Sequence, residues 1–239
     1  MKAMIFAAGL GTRLRPLTND RPKALVEVGG KTMLERVIRK LVRYGFEEIV
    51  VNVHHFADKM IDFLEVNQGF GADIHISDER DAVLETGGGL KRAASFFDDG
   101  KPFLVHNVDV LSDLDLGQLY RKHVESEALV TLAVRQRLSS RYLLFNDAGI
   151  LCGWRNVKTG EEKISRTARG ELTELAFSGI HVVNPQLFEL MWREGKFSII
   201  PTYLDVAQTK DIVGYRDDTC LWMDIGKPER LREANALFS

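Results

Sequence analysis

The chain has 239 residues, 45% of them hydrophobic and 28% charged, with a net charge of −2. That length supports one substantial core, and the near-neutral charge gives no global attraction to nucleic acid or to an anionic membrane. No apolar run approaches a membrane span, the N-terminus lacks the apolar stretch of a signal peptide, and the two cysteines, Cys152 and Cys220, have no metal-site spacing. The expectation is a cytoplasmic chain with reduced thiols that contacts neither nucleic acid nor membrane.

In chain order, Met4–Ala8 reads as an apolar strand running into a glycine-rich loop. Thr32–Tyr44 reads as a helix, with Met33, Leu34, Val37, Ile38 and Leu41 on one face and Gly45 as its stop. Glu48–Val53 is a buried strand, Phe56–Val66 a helix and Asp73–Ser77 a third strand. A helix over Gly88–Phe97 follows a glycine turn. Phe103–His106 is the next strand, Leu116–Glu125 the next helix and Ala128–Val134 another β-branched strand. This alternation predicts βαβ units and a parallel sheet.

From Arg135 the texture changes. Tyr142–Asn146 and Ile150–Arg155 are a predicted hairpin around Asp147-Ala148-Gly149. The polar stretch 157–172 is a predicted loop. Ala176–Val183 is a strand, Pro185–Met191 a short helix, and Ile199–Gln208 a helix with Pro201 in its first turn. Ile212–Arg216 and Cys220–Asp224 are short strands, and Pro228–Ala236 closes the chain as a helix. The predicted fold class is α/β: a Rossmann-like three-layer α/β/α fold with a mixed, mostly parallel central sheet and a small β-rich lobe.

The loop after the first strand reads Ala8-Gly9-Leu10-Gly11-Thr12-Arg13-Leu14-Arg15-Pro16-Leu17-Thr18, followed by Arg21-Pro22-Lys23. Glycines let backbone approach a ligand, and successive free N–H groups make an anion-binding concavity. Arg13, Arg15 and Lys23 add cations, so the loop suits a triphosphate. It is not the P-loop, whose G-x-x-x-x-G-K-[ST] is absent. Nor is it the dinucleotide fingerprint, because Leu14 stands where the third glycine belongs.

Three further segments carry chemistry. Leu84-Glu85-Thr86-Gly87-Gly88-Gly89 permits close approach to a flat ligand, or serves as a flexible helix entry. Asp109 follows the strand Phe103–His106, at the edge where open α/β sheets bind ligands, and its carboxylate suits Mg²⁺. Asp113 and Asp115 lie close by, and Asp115 suits the cap of the helix at Leu116. Leu221-Trp222-Met223-Asp224-Ile225-Gly226 reads as a strand end and turn. The adjacent His54 and His55 face opposite ways in a strand and do not suggest a metal pair.

The string G-x-G-T-R-x-x-P-x-T with P-K following resembles the sugar-phosphate nucleotidyltransferase family, which makes NDP-sugars from NTPs and sugar 1-phosphates. The resemblance covers nearly the whole chain. It implies that Ala8, Gly9, Gly11 and Thr12 wrap the triphosphate while Arg13 and Lys23 neutralise its charge during catalysis. It implies that Glu85, Thr86, Gly87 and Gly88 pack on the nucleobase and that Asn107 meets substrate. Asp109 and Asp224, the latter in a W-x-D-x-G pattern, are the implied Mg²⁺ ligands. Phe177-Ser178-Gly179 resembles the strand beside the sugar, with Gly179 leaving room for the pyranose. Glu162-Lys163 matches the family's E-K-P loosely, since Ile164 replaces the proline; Lys163 is the implied sugar-phosphate contact or a solvated loop lysine.

The form L-E-T-G-G-G is similar to that of N-acetylmuramic acid 1-phosphate uridylyltransferases of peptidoglycan recycling. UTP is therefore the favoured nucleotide and GTP, with a mannose or heptose 1-phosphate, the alternative. A catalytically silent regulatory relative is the reading of another class. Such relatives lose the loop cations or metal carboxylates that are present here. One domain, 1–239, is expected, with a nucleotide part over 1–134 and a sugar-binding part over 135–239, as a monomer or homodimer.

Overall fold

The computed structural model describes residues 1–168 and 170–238. Position 169, inside the predicted polar loop, and the last residue of the expected domain lie outside them. The first half contains β1 (Lys2–Phe6), a hairpin of β2 (Glu27–Val28) and β3 (Lys31–Thr32), α1 (Met33–Arg43), β4 (Glu48–Val53), α2 (Ala57–Val66) and β5 (Asp73–Asp78). It continues through α3 (Glu85–Arg92), β6 (Phe103–Asn107), β7 (Val110–Ser112), α4 (Leu116–Ser126) and β8 (Val130–Arg135). The second half contains β9 (Arg141–Phe145), β10 (Leu151–Asn156), β11 (Glu162–Ile164), β12 (Thr173–Val183), α5 (Leu187–Leu190), α6 (Ile199–Val206), β13 (Ile212–Arg216), β14 (Trp222–Asp224) and α7 (Pro228–Phe238).

A ten-stranded sheet runs β11-β10-β9-β12-β6-β1-β4-β5, with β8 on β12 and β13 on β8. Its first-half strands β6-β1-β4-β5 are parallel. β12 enters antiparallel to β6 and joins that half to the hairpin lobe of β9 to β11. Successive side chains of a strand face opposite ways, and β1 shows the consequence. Ala3 and Ile5 pack with α1, α2 and α7 on one face, while Met4 and Phe6 pack with Leu90, Phe97 and Tyr203 on the other. Both faces are covered, which makes three α/β/α layers. That double burial is why the parallel strands read as near-continuous apolar runs.

Capping follows the expected chemistry. Thr32 accepts from the N–H of Glu35 at the start of α1, and Asp115 accepts from that of Gln118 at the start of α4. Asp115 is thereby spent on a helix and Asp109 is not.

Several boundaries differ from the sequence reading. β1 stops at Phe6 because the N–H groups of Ala7 and Ala8 turn to the Asn52 side chain, at 2.6 and 3.2 Å. α3 begins at Glu85 rather than Gly88, and gives way to a 3₁₀ turn over Ala94–Phe97. The predicted loop after residue 157 contains β11, and β2, β3 and β7 are strands too short for periodicity to reveal. Both thiols are free, Cys152 buried and Cys220 half-buried. No helix among the described residues is long and apolar enough to cross a membrane.

Candidate active site

A cleft of about 450 Å³ opens at the carboxyl ends of β1, β4 and β6. The glycine loop from Ala8 to Arg13 forms one wall, Glu85, Thr86 and Lys196 another, and Asn107 and Asp109 the floor. This is the crevice where open α/β sheets take ligands.

The loop is shaped by two devices. Gly11 has a left-handed backbone, φ 63°, and a Cβ there would lie 3.0 Å from that of Lys23 and 3.1 Å from a Thr18 methyl. Its carbonyl accepts from the Thr18 hydroxyl at 2.9 Å, which closes the loop on itself. Gly9 instead has open space where a side chain would stand. Beneath the loop, Asn52 takes the N–H groups of Ala7 and Ala8 and donates to Glu79 Oε1 at 2.7 Å. Ala8 therefore lines the cleft with its N–H turned inward. Burial pushes the Glu79 carboxyl above its usual range, opposed by the Asn52 hydrogen bond.

The charged centre is assembled by backbone pairing. β14 runs antiparallel to β7 with Asp224 opposite Val110, and the N–H of Ile225 donates to the Asp109 carbonyl at 2.8 Å. Asp109 and Asp224 thus reach the same place from distant parts of the chain. Lys23, only 8% exposed, forms a short ion pair with Asp109. A Cβ at Gly226 would lie 2.7 Å from Asp224 Oδ1 and 3.1 Å from an Arg13 guanidinium nitrogen, so this glycine lets both groups crowd together.

Burial first, and then the negative charge of Asp109, raise the Asp224 pKa; Lys23, Arg13 and Arg137 oppose the rise. Its Oδ1 is buried without a hydrogen-bond partner. An orphaned carboxylate oxygen beside a second carboxylate is the donor set of a hard cation completed by phosphate oxygens or water. No cluster of three or more His, Cys, Asp or Glu residues suited to a metal occurs among the described residues.

Other predicted residues stand elsewhere. Gly87 and Gly88 do not face the cleft. Their N–H groups bond the Phe197 carbonyl, and a Cβ would strike the Phe197 ring at 2.3 Å or the Gly195 carbonyl at 2.1 Å. They let α3 pack against the 195–197 segment, and Thr86 joins them by accepting from the N–H of Ile199. Gly179, φ 79°, leaves room that the Asn107 side chain uses: a Cβ would meet its Nδ2 at 2.8 Å. Lys163 lies on β11, more than half exposed, paired with Glu161 at 3.3 Å and outside the cleft lining. His54 bonds the Glu79 carbonyl through Nδ1.

Asn52, Glu79 and Lys196 line the cleft without having been singled out. Asn52 left one trace, a polar residue near the carboxyl end of an apolar strand. Lys196 left none.

Fold and site together define an α/β protein with a crevice lined by a glycine loop, Arg13 and Lys23, and with a carboxylate pair at the sheet edge. The nucleotidyl transferase family model matches residues 2–239, and the chain belongs to that family. It is 35% identical to the N-acetylmuramate alpha-1-phosphate uridylyltransferase of Caulobacter vibrioides, over 98% of this chain and 95% of that one. It is 30% identical to a mannose-1-phosphate guanyltransferase of Yarrowia lipolytica, over 100% of this chain and 64% of that one. The fold is similar to that of a putative glucose-1-phosphate thymidylyltransferase from Bacillus anthracis, with a TM-score of 0.80 at 18% identity over 100% of this chain and 95% of that one.

Proposed function

We propose that the protein transfers a nucleotidyl group from UTP to N-acetylmuramic acid 1-phosphate, with Mg²⁺ as cofactor. The observation that carries the transfer reaction is the meeting of Arg13, Lys23, Asp109 and Asp224 at one sheet edge. The relative from Caulobacter vibrioides, matched over nearly its whole length, supports the choice of base and sugar.

In this reading an oxygen of the sugar phosphate attacks the α-phosphorus of the nucleotide. A P–O bond forms there, the bond to the β-phosphate oxygen breaks, and pyrophosphate leaves with the electron pair. Such chemistry needs positioning and charge neutralisation more than a protein nucleophile. The glycine loop holds the triphosphate, and Arg13 and Lys23 balance its charge. Asp109 and Asp224 would hold Mg²⁺, which when bound neutralises phosphate oxygens and orients them for in-line transfer.

Pyrophosphate release measured across four NTPs and a panel of sugar 1-phosphates tests the assignment. UTP with N-acetylmuramic acid 1-phosphate is expected to give the highest kcat/KM. Exclusive use of GTP would replace it with guanylyl transfer to mannose or heptose 1-phosphate. No turnover and no UTP-dependent thermal shift would indicate a silent relative.

A further inference from the structure

An incoming sugar 1-phosphate brings a phosphate dianion to a place that already holds two carboxylates. Lys23 is paired with Asp109, and Lys163 stands on an outer strand beside Glu161. A further cation near Asp224 would balance that charge, and Arg137 stacks on Trp222, two residues before Asp224 on β14.

Arg137 sits in the link between β8 and β9. Its guanidinium carbon is 4.4 Å from the centre of the Trp222 ring. Trp222 and Asp224 flank Met223 on β14, so their side chains share one face while Met223 points into the core. The Trp222 ring is itself held by a 2.8 Å hydrogen bond from Nε1 to the Ser178 carbonyl. Arg137 donates to the Phe177 carbonyl at 3.2 Å and to the Leu138 carbonyl at 3.4 Å. Both acceptors are neutral, Arg137 forms no ion pair among the described residues, and its Nε is buried without a partner.

The neighbouring arginine gives the contrast. Arg135 also lies over Trp222, at 5.7 Å, but pairs with Asp217 at 3.7 Å and donates to the Cys220 carbonyl. Its charge is used within the fold. A guanidinium stacked on an aromatic face, with no carboxylate of its own, is preorganised for a planar, forked contact with phosphate or carboxylate. Burial lowers the Arg137 pKa, and the negative charge of Asp224 opposes that shift.

We propose that Arg137 binds an anionic group of the acceptor near Asp224, in the role that the sequence resemblance implies for Lys163. This rests on the proposed transfer to a sugar 1-phosphate. The anion is the 1-phosphate common to all acceptors, or the carboxylate that N-acetylmuramic acid carries on its ring.

Steady-state kinetics of the full-length enzyme with Arg137→Met and Arg137→Lys separate these sources. Losing a charge-assisted contact predicts an acceptor KM raised about tenfold or more in Arg137→Met. The KM for UTP and the thermal shift with UTP stay at native values, and Arg137→Lys recovers part of the acceptor KM. Equal losses on N-acetylmuramic acid 1-phosphate and N-acetylglucosamine 1-phosphate assign the phosphate. A loss confined to the first assigns the carboxylate. An unchanged acceptor KM overturns the proposal. So does a parallel rise of both KM values with a lowered Tm, which would make Arg137 only a clamp on β12. A native enzyme inactive on every sugar 1-phosphate would instead overturn the proposed function itself.

Discussion

The ammonium of Lys23 lies on the carboxylate of Asp109, although 86 residues separate them in the chain. The pair joins the glycine loop to the end of β6 and holds a positive charge where phosphate is expected. Lys23→Met should lower kcat by about 100-fold, the magnitude seen when a charge-stabilising group is removed from a transfer site. Asp109→Asn and Asp224→Asn should each lower turnover at least as much while the fold survives. Pyrophosphate release in Mg²⁺ buffer and circular dichroism read the two effects. Near-native turnover in either aspartate variant would remove that residue from the metal site.

Asp224 also makes a stability prediction with a definite sign. Its folded pKa is raised above the ordinary 3.8, so the folded state holds this proton more tightly than the unfolded chain. As pH rises from 3.8 through the folded value, the unfolded state ionises first and stability falls. Asp224→Asn escapes this loss. Without Mg²⁺ its Tm should exceed that of the native protein by ~1–3 °C at neutral pH, with the gap closing toward pH 3.8. Adding Mg²⁺ should raise the native Tm more than the variant's, because metal binding requires the ionised carboxylate. A gap independent of pH would show that Asp224 titrates normally.

Asn52→Leu tests the support beneath the loop. The change keeps the branched shape of the side chain but strands the N–H groups of Ala7 and Ala8 and an oxygen of Glu79. An unpartnered buried polar group costs about 1–3 kcal/mol. Lower stability in denaturant titration and a raised KM for UTP are expected together. Unchanged values for both would show that the loop holds its shape without Asn52.

At Gly88 two effects oppose each other. Alanine in a helix interior gains about 1 kcal/mol over glycine. The new Cβ would lie 2.1 Å from the Gly195 carbonyl, a backbone atom that cannot rotate away. Overpacking costs about 1–3 kcal/mol and more against backbone, so the clash wins. Gly88→Ala should lower Tm by a few degrees and shift the cleft wall that carries Thr86 and Lys196, raising the KM for UTP. A higher Tm would mean that α3 and the 195–197 segment separate freely.

Local chemistry made much of this protein legible. The strand-to-loop transition at Gly9, the cations Arg13 and Lys23, and the carboxylates Asp109 and Asp224 could all be named from short patterns. Periodicity placed α1 because a buried face repeats along a helix at a fixed interval, and β4 stood out as a short apolar run. Asp115 could be set aside as a cap because capping is a contact over three residues.

Tertiary structure decided what depends on partners far away in sequence. Gly87 and Gly88 read as ligand-facing glycines until the 195–197 segment packed against them. Lys163 and Arg137 are both cations of the second half. β-pairing carries Lys163 outward onto an edge strand, while Arg137 stacks on Trp222, two residues from Asp224. Asn52 and Lys196 became site residues only when parallel strands and a returning segment brought them to one crevice. Side-chain type and spacing identify groups that are able to carry charge. The register of β7 with β14 and of β12 with β6 determines which of those charges meet.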